Sequence, residues 1–311
     1  GKKSANARIE PALSGGAAVP ETAARSVAAK RVAPETLLEM FPAIEYSVDM
    51  HSDVGIPANY IADVLDQTNQ IGKPVRWYGF NPEAQMWESI SPQADVNYYQ
   101  LRAALQLVDR NGAVSDFQLQ QFCELLQEVA NAWAAGISFP SQAAARARAV
   151  ELDNFCADVD VMIGLNIISQ GSIPFAGFKL VKITEKLALV LGDDGTYRKL
   201  DFQGNTLFLL ANSEGAPFVA DKDKMKTLTT HSLTLLFDVP KVQVGLKAFE
   251  QMAKVAAEIA QGLEGVLVDD NRRPLNEAAV QAILQQLREL YTKMEDADIP
   301  PGSPLAKRLF S

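Results

Sequence analysis

At 311 residues, with 48% hydrophobic and 22% charged positions, the chain can fill two ordinary cores, because single cores usually stop growing before this length. Its 38 Asp and Glu outweigh 29 Lys and Arg, leaving a formal charge of −9; the average surface therefore repels nucleic-acid phosphates and anionic headgroups, whose capture needs clustered cations. This excludes a broadly basic nucleic-acid binder and points to protein partners, or else to a locally basic patch.

No window approaches the roughly 18 to 20 continuous apolar residues of a membrane span, and no signal-peptide core is visible. The first residue is Gly1, which leaves room for an N-terminal anchor ahead of it. Lys2 and Lys3 suit either the cytoplasmic edge of such an anchor or plain linker. Cys123 and Cys156 are the only cysteines; both fall in apolar helical patterns, where reduced buried thiols are commoner than a disulfide, as in a reducing compartment.

Residues 1–36 are rich in Ala, Pro, Gly and Ser without a sustained hydrophobic period and read as a flexible tether. Beyond them one plan is stated twice. In the first copy Ile44, Tyr46, Val48 and Met50 alternate with Glu45, Ser47 and Asp49, the period of a half-buried strand. A helix over Ala58 to Gln70 carries Tyr60, Ile61, Val64 and Leu65 on one face. Short strands follow at Val75 to Phe80 and Gln85 to Ile90, then a longer one at Tyr98 to Val108, with Tyr99, Leu101, Ala103, Leu105 and Leu107 inward and Gln100, Arg102 and Gln106 outward. Ser115 caps a long helix to about Ala134, with Phe117, Leu119, Phe122, Leu125, Leu126 and Val129 at helical spacing. A strand Ile137 to Phe139 and a helix Ser141 to Phe155 close the copy.

The second copy repeats the order: a strand Val159 to Ile167, a helix Phe175 to Leu189, strands Thr196 to Asp201 and Thr206 to Asn212, a strand Leu233 to Val239, a helix Val244 to Leu263, a strand Val266 to Val268 and a helix Asn276 to Met294. Gly136 and Gly265 mark similar helix exits. The expected fold class is α+β: two tandem split β-α-β domains, 37–156 and 157–294, each an antiparallel sheet with helices packed on one face and the other face open. Residues 295–311 read as a flexible tail.

Little in the sequence suggests catalysis. His51 and His231 are the only histidines, and neither has Cys, Asp or Glu at metal-ligand spacing. Phosphate-binding glycine loops and the Gly-x-Ser-x-Gly elbow are absent. Gly192-Asp193-Asp194-Gly195 lacks the alternating ligands of a calcium loop and reads as a tight turn. Asp269 and Asp270 lie so close to Arg272 and Arg273 that ion pairing and capping of the helix after Asn276 is the expected role, because pairing lowers a carboxylate's proton affinity instead of poising it for acid–base work. No catalytic residue, metal, cofactor or small-molecule substrate is expected.

Three blocks of the second copy carry a family resemblance. They are Leu267-Val268-Asp269-Asp270-Asn271-Arg272-Arg273-Pro274-Leu275; Leu207-Phe208-Leu209-Leu210-Ala211-Asn212; and Met225-Lys226-Thr227-Leu228-Thr229-Thr230 followed by Leu233-Thr234-Leu235-Leu236-Phe237-Asp238-Val239-Pro240. In this order they resemble the C-terminal domain of the ZipA family, membrane-anchored bacterial division proteins that bind the tail of FtsZ. The likeness covers about Val159 to Tyr291, and the first copy reads as a diverged repeat.

The resemblance implies a non-catalytic adaptor on the cytoplasmic face of the inner membrane, whose open second sheet forms a shallow groove for the FtsZ C-terminal peptide. Ala211 and Leu236 fall at groove positions with the expected small and apolar character. Ser213 and Asp194 stand where methionine is usual, and alternation turns Asp160 and Met162 outward, so the groove is more polar than in the family; ordinary solvated sheet remains an alternative for these residues. In the first copy Arg76, Tyr78, Gln100, Arg102 and Gln106 face outward, as contact residues or as solvated strand. The tail, from Glu295 through Asp298, Ile299 and Pro300 to Leu305, Lys307, Arg308, Leu309 and Phe310, resembles the acidic, Asp-Ile-Pro, apolar, basic layout of FtsZ tails, as a competitor for a groove or by chance. The rivals are a scaffold of the same fold for a different envelope protein and an RNA-binding module, the latter opposed by the acidic balance.

Overall fold

The computed structural model describes residues 40–269 and 271–311, together with the backbone of Ala7–Arg8. The tether expected over 1–36 otherwise lies outside the described residues. The chain divides in sequence between Ala157 and Asp158 into two compact units.

The first unit runs β1 (Glu45–Pro57), α1 (Tyr60–Asn69), β2 (Val75–Asn81), β3 (Met86–Ser89), β4 (Asn97–Gln106), α2 (Asp116–Ala132), β5 (Gly136–Ser138) and α3 (Gln142–Val159). The strands form one antiparallel sheet in the order β3-β2-β4-β1-β5. Ile44, Tyr46, Val48 and Met50 are buried in the alternating pattern. The Tyr46 ring meets Phe122 of α2 edge-on at 6.2 Å, and Trp77 meets Trp133 at 6.1 Å, which places α2 over that face. Ser115 and Gln118 cap α2 reciprocally: the Ser115 hydroxyl accepts the Gln118 N–H at 3.1 Å and Gln118 Oε1 accepts the Ser115 N–H at 3.0 Å.

Four expectations for this unit need correction. Pairing jumps from His51↔Gln100 to Ile56↔Tyr98, and this bulge in β1 reverses the phase, so Tyr98 is buried while Tyr99 is 48% exposed. The Tyr98 ring fits only because Gly79 lacks a side chain; a Cβ there would come within 2.3 Å of it. Phe117 and Tyr60, assigned to apolar helix faces, are exposed, because each is the first or second residue of its helix and has no preceding turn to pack against. The outer sheet face is not open throughout: Tyr78 and Gln106 are each only 1% exposed. Gln106 turns its amide onto the Val108 carbonyl at 2.7 Å, and the neighbouring Glu45 carboxylate accepts the Phe41 N–H at 3.1 Å.

The second unit runs β6 (Val161–Ile168), α4 (Gly177–Lys186), β7 (Val190–Leu191), β8 (Tyr197–Leu200), β9 (Thr206–Asn212), α5 (Lys222–Thr227), β10 (Ser232–Asp238), α6 (Gly245–Leu263), β11 (Val266–Val268), α7 (Glu277–Asp296) and α8 (Pro304–Leu309). The sheet order is β7-β8-β9-β10-β6-β11, all antiparallel. Ala7–Arg8 lies parallel to the first two residues of β6. The core joins Ile163, Leu165, Phe208, Leu210, Leu235 and Phe237 of the sheet to Phe249, Met252, Ala256, Ile259 and Leu263 of α6 and to Ile283 and Leu287 of α7. The three-and-four spacing along α6 makes one apolar stripe, and each large side chain in it contributes about 1.5–3 kcal/mol on burial.

The two units share a four-strand heart. In each, the first strand lies between the last strand and the strand that precedes the long helix: β5-β1-β4-β2 and β11-β6-β10-β9. They differ beyond that heart, since the accessory strand β3 follows β2 in the chain whereas β7 and β8 precede β9. Both long helices end on a left-handed residue, but it is Ala134 (φ 52°) and Glu264 (φ 58°), not the glycine. The glycines serve close approach: a Cβ on Gly136 would meet the His51 ring at 2.2 Å, and one on Gly265 the Phe175 ring at 2.7 Å.

The C-terminal segment is folded, contrary to a flexible tail. α7 continues to Asp296, Asp298 turns the chain through φ 57°, and α8 follows behind a Ser303 cap that accepts the Ala306 N–H at 3.1 Å. Ile299, Ala306, Leu309 and Phe310 are buried. Gly302 N–H donates to Pro240 O at 2.9 Å, and Lys307 Nζ donates to Asn205 Oδ1 at 2.9 Å. Apolar residues spaced for one short helix gain enough burial to order a segment that composition alone marks as loose.

Candidate functional site

In the second sheet the side chains that point away from α6 and α7 come from alternate positions of β6, β10 and β9. Register sets them in rows: Gly164, Leu236 and Leu209 lie side by side, with Arg198 of β8 next; Asn166, Thr234 and Ala211 form the adjacent row; Met162 pairs with Asp238 and Ile168 with Ser232. Leu236, Leu209, Ala211, Met162 and Ile168 are half-buried. One row is thus apolar, and its neighbour is polar.

The polar row is wired together. The Thr234 hydroxyl donates to Asn166 Oδ1 at 2.7 Å and lies 2.6 Å from Ser213 Oγ. With the Thr234 proton committed to Asn166, Ser213 is the donor to Thr234. A hydroxyl–hydroxyl–amide chain therefore crosses three strands in the middle of the face, which satisfies Thr234, itself largely buried.

Of the expected site residues, Leu236 and Ala211 occupy adjacent outward rows, Met162 lies one row beyond, and Ser213 closes the polar chain just after β9. Asp160 requires correction: it is only 6% exposed and precedes β6, because α3 runs on to Val159 and leaves no strand at 159–160 for the alternation to act on. Asp194 lies outside the rows, in the turn between β7 and β8. Its carboxylate accepts from Arg198 at 2.8 Å and from the Thr196 hydroxyl at 2.8 Å, and the Arg198 hydrogen bond first, then those from Thr196, bring its pKa down to about 2. Sequence reading missed Thr234, Asn166 and Leu209, although counting two residues at a time from Leu236, Met162 and Ala211 reaches each of them.

The three sequence blocks mainly build this scaffold. Asn212 accepts from Thr230 Oγ1 at 2.6 Å and from the Glu214 N–H at 3.0 Å, tying the end of β9 to the Thr229–Thr230 strand. Met225 is buried in α5, which Asp221 caps by accepting the Asp223 N–H at 2.9 Å. The Asp269 carboxylate closes its own turn by accepting the Arg273 N–H at 2.8 Å. The expected ion pairing and capping is corrected accordingly: Asn276 itself caps α7, accepting the Ala279 N–H at 2.8 Å, and Asp269 makes no ion pair with the arginines among the described residues. Asp270 lies outside the described residues. Cys123 and Cys156 are buried thiols not joined in a disulfide, and burial pushes the Cys123 pKa up. Among the described residues no three His, Cys, Asp or Glu side chains are grouped to hold a metal ion, and no helix is long and apolar enough to cross a membrane.

Comparison with known proteins adds a family to this geometry. Residues 161–286 match the family model described as ZipA, C-terminal FtsZ-binding domain. Relatives carrying the name Cell division protein ZipA include that of Xanthomonas axonopodis pv. citri (strain 306), 26% identical over 151 residues, or 47% of this chain and 61% of that protein. Those of Haemophilus influenzae (strain PittGG) and Colwellia psychrerythraea (strain 34H) are 28% identical over 128 residues and 25% identical over 160 residues, covering 39% and 42% of their lengths. The chain thus spans between 39% and 61% of the length of these relatives.

Proposed function

We propose, because residues 161–286 match the model of the ZipA C-terminal FtsZ-binding domain, that the outer face of the second sheet docks the C-terminal peptide of FtsZ, and that the chain is a non-catalytic cell-division adaptor. Its place in this reading is the cytoplasmic face of the bacterial inner membrane. The observation that carries the docking is the apolar row of Leu236 and Leu209 on a face turned away from the helices. Water over that row is released when a peptide side chain covers it, a gain of about 25 cal/mol per Å² of apolar area.

A labelled FtsZ tail peptide titrated onto the full chain tests the proposal. Saturable binding that Leu236→Asp removes supports it; binding unaffected by Leu236→Asp sinks it. The polar row of Ser213, Thr234 and Asn166 favours one alternative, a scaffold of the same fold for a different envelope protein whose peptide carries hydrogen-bonding side chains. In that case the FtsZ tail fails to bind, and a polar segment from another division partner takes its place.

A further inference from the structure

We propose that a cavity at one end of this face takes a carboxylate side chain of the docked peptide, with Arg272 as its charge partner; the proposal rests on the docking reading above. The cavity, about 240 Å³, is lined by Asn166, Ser169, His231, Ser232, Asp269 and Arg272 among other residues. Asn166 and Ser232 are outward positions of β6 and β10. The cavity is therefore continuous with the polar row, and a chain lying across the face reaches it.

Two other cations near this face, Arg198 and Lys241, are engaged by the protein's own carboxylates. Arg198 is held by Asp194 at 2.8 Å and Lys241 by Asp238 at 3.4 Å, while the His231 ring lies 3.2 Å from Glu214 Oε1. Arg272 is exposed and forms no ion pair among the described residues. Among the described residues the acid in the cavity wall is Asp269, which is buried and has a carboxylate oxygen engaged by the Arg273 N–H.

The backbone points the same way. Arg272 is left-handed at φ 61°, a conformation that crowds any side chain bearing a Cβ. It is held there by Arg272 N–H to Asp269 O at 3.0 Å and Asp269 N–H to Arg273 O at 2.9 Å. A strained turn that places an unpaired guanidinium in the wall of a polar cavity is what a ligand-facing residue requires. Guanidinium and hydroxyl donors together suit a planar carboxylate, and an acidic side chain is the form in which a peptide lying across the sheet brings one.

The test uses the full chain, an FtsZ tail peptide, single variants of that peptide with each Asp or Glu replaced by its amide, and one with an amidated C-terminus, all repeated on Arg272→Gln. One acidic position is expected to lose about three- to fivefold in affinity as the amide, the size of an exposed charge pair. That loss shrinks with added salt and vanishes on Arg272→Gln, whose thermal unfolding is unchanged. Equal affinity for every peptide, an identical loss on Arg272→Gln, or a loss only on C-terminal amidation overturns the subsite and leaves docking intact. Binding of none of the peptides overturns the docking reading and the subsite with it.

Discussion

The central strands of the two sheets carry opposite solutions to an outward-facing position. In the first unit Arg102 of β4 is clasped by Asp49 through two hydrogen bonds of 2.6 and 2.9 Å and lies over the Trp87 ring at 5.0 Å. In the second unit Leu236 of β10 lies between Gly164 and Leu209. A charge that is paired and stacked within its own sheet has little to gain from a partner, whereas an apolar row stays hydrated at a cost that only a covering surface removes. The shared heart of the two units thus does not entail a shared task, and the proposed docking face belongs to the second.

The C-terminal helix belongs to the second unit, with Phe310 fully buried. Phe310→Ala is expected to cost about 3–5 kcal/mol in chemical denaturation, as for other fully buried aromatics; a change near zero would return residues 295–311 to the status of a loose tail. Contrasting the faces directly, Leu236→Asp should weaken FtsZ tail binding about tenfold or more, equivalent to about 1.4 kcal/mol, while Arg102→Ala leaves it unchanged in the same anisotropy titration. Equal effects of the two substitutions would break the contrast.

Thr234→Val sharpens it. Replacing the hydroxyl with a methyl group strands Asn166 Oδ1 and the Ser213 hydroxyl, so stability should fall by about 1 kcal/mol, while affinity for an apolar peptide rises as the polar row loses its centre. Thermal melts and the same titration read both changes. The smallest effect concerns Asp194, whose pKa is lowered from 3.8 to about 2. Because the folded value lies below the ordinary one, its contribution is complete above about pH 4 and is lost as the pH falls through about 2. Carboxyl NMR shifts should titrate with that midpoint and return towards 3.8 in Arg198→Gln.

Much of this architecture was legible in the chain itself. The period-two run from Ile44 to Met50, the apolar run within Thr206 to Asn212, the Ser115 cap, and the three-and-four spacing of Phe249, Met252, Ala256, Ile259 and Leu263 set strands and helices near their observed ends. What escaped depended on neighbours that local patterns do not encode. The β1 bulge that swaps Tyr98 for Tyr99, the burial of Tyr78, and the extension of α3 to Val159 that withdraws Asp160 are all set by tertiary pairing. At the candidate site, Leu236 and Ala211 could be found from alternation alone. The hydroxyl chain through Thr234 and the unpaired Arg272 required three strands and a turn to be brought together.

The opposite insertion of accessory strands around a common heart bears on how the chain folds. Tandem repeats of one architecture risk trading hairpins between copies while both are half made, a familiar route to domain-swapped traps. Here a hairpin from one unit would reach the other with its strands in the wrong sequence: β3 trails the strand it should extend, while β7 and β8 lead theirs. Mismatched edges give each half a private template, so the different placement of the accessory strands also guards against misassembly.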